Sequence, residues 1–73
     1  MPNSFFYRTS AGTFRITPKG QLWELWFEAE CLGRYNSPTQ ASYEAGSGVC
    51  DWPSAGDPQS LGVPEELEDW SRS

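Results

Sequence analysis

Two thiols and a scatter of carboxylates are the side chains in this sequence with the chemistry of a catalyst, and neither set is spaced for the work. Cys31 follows Glu30 and Cys50 precedes Asp51. A neighbouring negative charge raises a thiol's pKa and so removes the thiolate that attacks. Both cysteines read as small apolar residues with free thiols, and nothing in their spacing indicates a disulfide. Histidine is absent, which removes the commonest general base and metal ligand. No metal and no cofactor is expected. Glu28 with Glu30, and Glu65, Glu66, Glu68 and Asp69, are grouped carboxylates. Glycoside or ester hydrolysis needs two carboxylates across a cleft, and a chain of 73 residues scarcely encloses one. Gly46-Ser47-Gly48 lacks the lysine of a phosphate-binding loop and ends a helix instead of opening one. The chain is expected not to be an enzyme.

What remains is the chemistry of binding. The sequence holds four Trp, four Phe and three Tyr. A domain of this size buries only about 60% of its unfolded surface, so large side chains must hold it and some aromatics must stay outside, where they mark interaction surfaces. Charge is divided unevenly. Residues 1–37 carry Arg8, Arg15, Lys19 and Arg34 against Glu24, Glu28 and Glu30, a balance of +1. Residues 38–73 carry Arg72 against seven carboxylates, a balance of −6. The cations interleave with Tyr7, Phe14 and Tyr35, which suits stacking on single strands. The acidic half opposes a polyphosphate, so nucleic acid is the disfavoured partner. That half reads either as a solubilising tail or as one that docks on a basic partner. No apolar run reaches the length of a membrane span or signal core, and Met1-Pro2-Asn3-Ser4 lacks the basic start of an export signal. A cytoplasmic location is expected.

The elements that position these residues are legible. Phe5–Thr9 is rich in strand formers, and Ser10-Ala11-Gly12 turns it back. Thr13–Thr17 alternates, with Phe14 and Ile16 on one face, and Pro18-Lys19-Gly20 closes it in the manner of a type I turn. Leu22–Phe27 presents Trp23, Leu25 and Phe27 to a core. Its other face carries Leu22, Glu24, Trp26 and Glu28, which makes Trp26 the expected exposed aromatic. Cys31–Tyr35 forms a last strand. Ser37-Pro38-Thr39-Gln40 combines a Ser cap, Pro at the first helical position and Gln three residues after the cap. The helix from Pro38 stops at Gly46-Ser47-Gly48 after about two turns and docks through Ala41, Ala45 and Tyr43. From Gly46 to Pro64 the chain is a loop, pinned to the sheet by Trp52. Pro64–Trp70 reads as an acidic helical turn. In it Leu67 and Trp70 either cover the open sheet face or form a linear motif held out for a partner.

Trp23-Glu24-Leu25-Trp26-Phe27, followed by Leu32-Gly33-Arg34-Tyr35-Asn36-Ser37-Pro38-Thr39-Gln40-Ala41, resembles the strand-to-helix half of AP2-type and integrase arm-binding domains over residues 13–45. That resemblance implies three strands packed on one helix and a sheet that reads DNA. This strand carries Glu24 and Glu28 where that family's sheet carries basic residues. The chain also resembles small uncharacterised bacterial β-β-β-α proteins that pair Leu-Trp-Phe-Glu-x-Glu-Cys-Leu-Gly-x-Tyr with an acidic, Trp-containing C-terminus.

These readings converge on an α+β fold. An antiparallel meander of three to four strands packs on one short helix over residues 1–45. A Gly/Pro/Ser-rich loop spans 46–63, and an irregular acidic segment spans 64–73. The expected function is a small acidic protein-binding module, a regulator or inhibitor of another protein. The alternative is an AP2-like or integrase-arm-like nucleic-acid binder. Two surfaces are candidates: Trp26 with Glu24 and Glu28, and Leu67 and Trp70 with Glu66 and Asp69. Either would meet a protein with a basic or apolar patch.

Overall fold

The computed structural model describes residues 4–54 and 56–72; Met1, Pro2, Asn3, Ala55 and Ser73, and with them the reading of the first three residues as lacking an export signal, lie outside them. Strands β1 (Phe5–Thr9), β2 (Gly12–Lys19), β3 (Leu22–Phe27) and β4 (Glu30–Tyr35) precede helix α1 (Pro38–Ser47), and β5 (Ser71–Arg72) ends the described chain. They form one antiparallel sheet in the order β4-β3-β2-β1-β5. The fold is α+β, a meander-like sheet packed against one short helix.

Three two-residue turns set the register. Gly20 takes φ 62° between the paired Lys19 and Leu22, which fits a hairpin whose first central residue must be left-handed. The turn thus falls two residues later than the one expected at Pro18-Lys19-Gly20, and Pro18 pairs with Trp23 inside β2. The strand tolerates Pro18 because Ile16 is the last residue with a β1 partner, so no neighbour on that side needs the missing N–H. Between β3 and β4 the pairing shifts by one residue, with Leu25 opposite Gly33 and Trp26 opposite Cys31. This bulge places Leu32 in the core.

The helix begins where the sequence requires. Ser37 is extended and its Oγ accepts from the Gln40 amide at 3.1 Å. The helix runs through Gly46 and ends only at Gly48, which takes φ 76° while the Val49 amide reaches back to the Glu44 carbonyl at 3.1 Å. Ala41, Ser42, Ala45 and Gly46 are its buried residues. Tyr43 is exposed and takes no part in docking. A face of small residues lets the backbone approach closely, and a methyl added at Gly46 would lie 2.5 Å from the Glu65 amide nitrogen.

The core lies between one face of the sheet and this helix. Phe14, Ile16, Leu25, Phe27, Leu32, Ala41, Ala45, Cys50, Val63 and Trp70 are buried there. Trp70 closes one side. It is 5% exposed, its ring centroid lies 6.0 Å from that of Tyr7, and its Nε1–H donates to the Pro64 carbonyl at 3.0 Å. The acidic helical turn contracts to a 3₁₀ turn at Leu67–Asp69. After it the chain becomes β5, pairing Phe5 with Arg72 and Phe6 with Ser71. The tail therefore covers, as one of the two readings of Leu67 and Trp70 had it, but it covers the helix side of the sheet.

Candidate binding surface

Strand alternation sends every second residue to the other face of the sheet, and the core that the helix and Trp70 close holds none of the strand residues of that face. Register places Phe6, Arg15, Trp26 and Cys31 in one row across β1 to β4, and Thr17, Glu24 and Arg34 in the next. Arg8 lies opposite Thr13, and Lys19 opposite Leu22. Four of the five cations in the sequence thus belong to this uncovered face.

Glu24 is buried, and both carboxylate oxygens are engaged. Oε2 accepts from Arg34 Nε at 3.0 Å, and Oε1 accepts from Trp26 Nε1 at 3.3 Å. A carboxylate with so little water is stable only when paired and hydrogen-bonded. Arg34 supplies the pairing while remaining 64% exposed. The same bonds fix the Trp26 indole, which is half-buried. Glu28 occupies the β3–β4 turn. Its Oε2 accepts from the Thr13 amide at 2.6 Å and its own amide donates to the Thr13 carbonyl at 3.0 Å. Glu24 is not a free acidic contact, and the expectation that it presents negative charge to a basic partner does not hold; Glu28 stays exposed at the turn, one oxygen bonded to the Thr13 amide.

The unpaired charge on this face is positive. Arg34–Glu24 is the ion pair among the described residues, so Arg8, Arg15 and Lys19 have no carboxylate partner there. The Arg8 guanidinium sits 6.0 Å from the Phe6 ring centre. Arg8 and Arg15 line one hollow of about 280 Å³ together with Phe6, Thr13 and Ser4. The sequence names Arg8 and Arg15 among its cations but not this hollow, because only the register sets them on one diagonal, Arg8 opposite Thr13 and Arg15 opposite Phe6.

The second expected surface does not assemble as one. Trp70 is buried and Leu67 half-buried, while Glu66 and Asp69 are exposed. Trp70 is a core residue, and a partner cannot reach its indole in this fold. The tryptophan that does stand outside is Trp52, 59% exposed, with its Nε1–H donating to the Gly48 carbonyl at 2.9 Å. It does not pin the loop to the sheet. The Ser54 amide and hydroxyl do, donating to Glu30 Oε1 at 3.1 and 2.8 Å. Those bonds hold the Glu30 carboxyl below its ordinary value.

The thiols differ. Cys31 is exposed beside Trp26, and Cys50 is buried. Burial, with Asp51, Glu44 and Asp57 nearby, pushes Cys50 up to about 11. Burial likewise pushes the Tyr35 phenol up to about 12, with Cys50, Glu44 and Asp51 adding to it. Neither is a nucleophile at neutral pH. Among the described residues no three Cys, Asp or Glu side chains converge as a metal would require, and no helix is long and apolar enough to cross a membrane. Compared with known proteins, the chain matches no family model, no curated protein and no solved structure.

Proposed function

We propose that this chain is a non-enzymatic protein-binding module that engages its partner with the uncovered face of its sheet, around Trp26. One observation carries the reading. The helix, the loop and the tail all pack on one face, and the opposite face is left open with a tryptophan held in place by Glu24. A fixed indole loses little entropy on contact and buries a large area, which is why tryptophan dominates interface energetics. Phe6 and Leu22 extend the apolar part of the same face. Two unpaired thiols are in keeping with a reducing, cytoplasmic setting.

Cys31 provides the test. A benzophenone maleimide attached to its exposed thiol sits beside Trp26 and reports what lies on this face in cells. The expected result is a protein adduct that disappears in Trp26→Ala while far-UV circular dichroism stays unchanged. An adduct unaffected by Trp26→Ala would sink the reading. The second reading, a nucleic-acid binder of the AP2 or integrase-arm kind, is favoured by Arg8, Arg15, Lys19 and Arg34 sharing one face. It predicts a nuclease-sensitive adduct instead.

A further inference from the structure

The partner's charge follows from which groups on this face are already engaged. Glu24 is neutralised by Arg34 and shielded by Trp26, and Glu28 is tied to the Thr13 amide at the turn. Arg8, Arg15 and Lys19 have no carboxylate partner among the described residues. Although the whole chain carries −5, this one face is cationic.

We propose that the face recognises an acidic segment of a partner protein, with a carboxylate in the hollow between Arg8 and Arg15 and an apolar side chain on Trp26. The inference rests on the reading of the sheet face as the binding surface. Two arginines lining one hollow of about 280 Å³ supply the donors that the multiple acceptor sites of a carboxylate take up, with room for the side chain that carries it. Trp26 lies on the strand next to Arg15, in direct register with it. Adjacent strands are about 4.8 Å apart, and residues two apart in an extended peptide are about 6.8 Å apart. A carboxylate and an apolar side chain two positions apart on an extended segment therefore reach both points together.

A nucleic acid fits the surroundings less well. Its backbone carries charge along its whole length, and beyond this face it would meet Glu28 at one rim. At the other rim Asp69 lines a hollow with Phe6, Tyr7 and Arg8. A peptide with two or three carboxylates ends before those rims.

The experiment is an amide and indole NMR titration of the full chain with three probes. They are acetyl-Glu-Ser-Phe-Ser-Glu-amide, the same peptide with both Glu replaced by Lys, and decathymidylate. The acidic peptide is expected to shift the Trp26 indole and the Arg15 amide. Its affinity should fall about tenfold or more in Arg15→Glu, as loss of a charge-assisted contact implies. Arg15 is exposed, and Arg15→Gln, with an intermediate loss, guards against an effect of misfolding. Tighter binding of the lysine peptide on the same face would overturn the sign and leave the protein-binding reading standing. Tighter binding of decathymidylate, weakening steeply between 50 and 200 mM salt, would replace the protein partner with a single strand. If none of the three moves this face, both readings fall.

Discussion

At Glu28 the backbone takes φ 52°, the one positive φ outside glycine among the described residues. A left-handed L-residue costs roughly 1–2 kcal/mol, and the turn keeps it because the carboxylate reaches the Thr13 amide across the neighbouring hairpin. The strain and the contact separate by mutation. Glu28→Gly relieves the strain and loses the acceptor, so the unfolding free energy from urea titration should change by less than about 1 kcal/mol. Glu28→Ala keeps the strain and loses the acceptor, and should cost about 1 kcal/mol. The thiols give a second test at this scale. Native protein treated with iodoacetamide at pH 8 should carry a single adduct at Cys31, with Cys50 labelled only after unfolding. Peptide mass spectrometry decides it, and early labelling of Cys50 would contradict its burial and its raised pKa. At this scale the sequence was a fair guide to character and a poor guide to engagement. Glu24 is visibly a polar residue on a mixed face. That it pairs with Arg34, ten residues on, depends on a register shifted by the bulge at Leu32, which no alternation pattern reveals.

Helix α1 shows where element-level reading succeeds and where it stops. Its start is written in Ser37-Pro38-Thr39-Gln40, and Ser37→Ala should cost about 1 kcal/mol by thermal or urea unfolding. Its end was harder to see, because a glycine inside a helix and a glycine that stops one look alike in sequence. Gly46 is kept for contact. The Ser42 hydroxyl reaches the Thr39 and Glu65 carbonyls at 2.9 and 3.1 Å, and Gly46 lies under Glu65. Gly46→Ala should gain up to about 1 kcal/mol of helix propensity. The close approach to the Glu65 backbone should cost about 1–3 kcal/mol, so the variant is expected to be less stable. An increase in stability would mean that the 64–66 segment yields freely. The first four strands and the α+β class were legible in alternation, turn residues and caps. Strand β5 was not, since Ser71 and Arg72 carry no strand signal and pair only because Trp70, anchored in the core, delivers them to the edge of β1.

For the molecule as a whole, the last aromatic is a structural keystone. Large-to-small replacement of a buried tryptophan costs about 3–5 kcal/mol, and a domain this size has roughly 4–11 kcal/mol in all. Trp70→Ala should therefore melt more than about 10 °C below the parent, whereas Trp52→Ala, on an exposed indole, should melt within a few degrees of it. Alkaline pH probes the same core. Cys50 and Tyr35 hold their protons to about 11 and about 12, against ordinary values of 9.0 and 10.0. An unfolded chain gives up those protons first, so their contribution is complete below about pH 9 and lost as pH rises through 11 to 12. Cys50→Ala should flatten the alkaline fall in melting temperature, and an unchanged slope would assign that fall to other groups.

The pairing of Phe6 with Ser71 joins the two extremes of the described chain, and it bears on the order of assembly. Each of the first three strands pairs with its immediate successor, so hairpin after hairpin can form from local encounters. The fifth meets a partner that lies far earlier in the sequence, with three strands and a helix between them. A nascent chain on the ribosome would hold a nearly finished meander with the β1 edge unpaired and the side later closed by Trp70 still wet. In that interval the edge is open to a strand from any neighbour. Ser71 and Arg72 end that exposure once they emerge and pair.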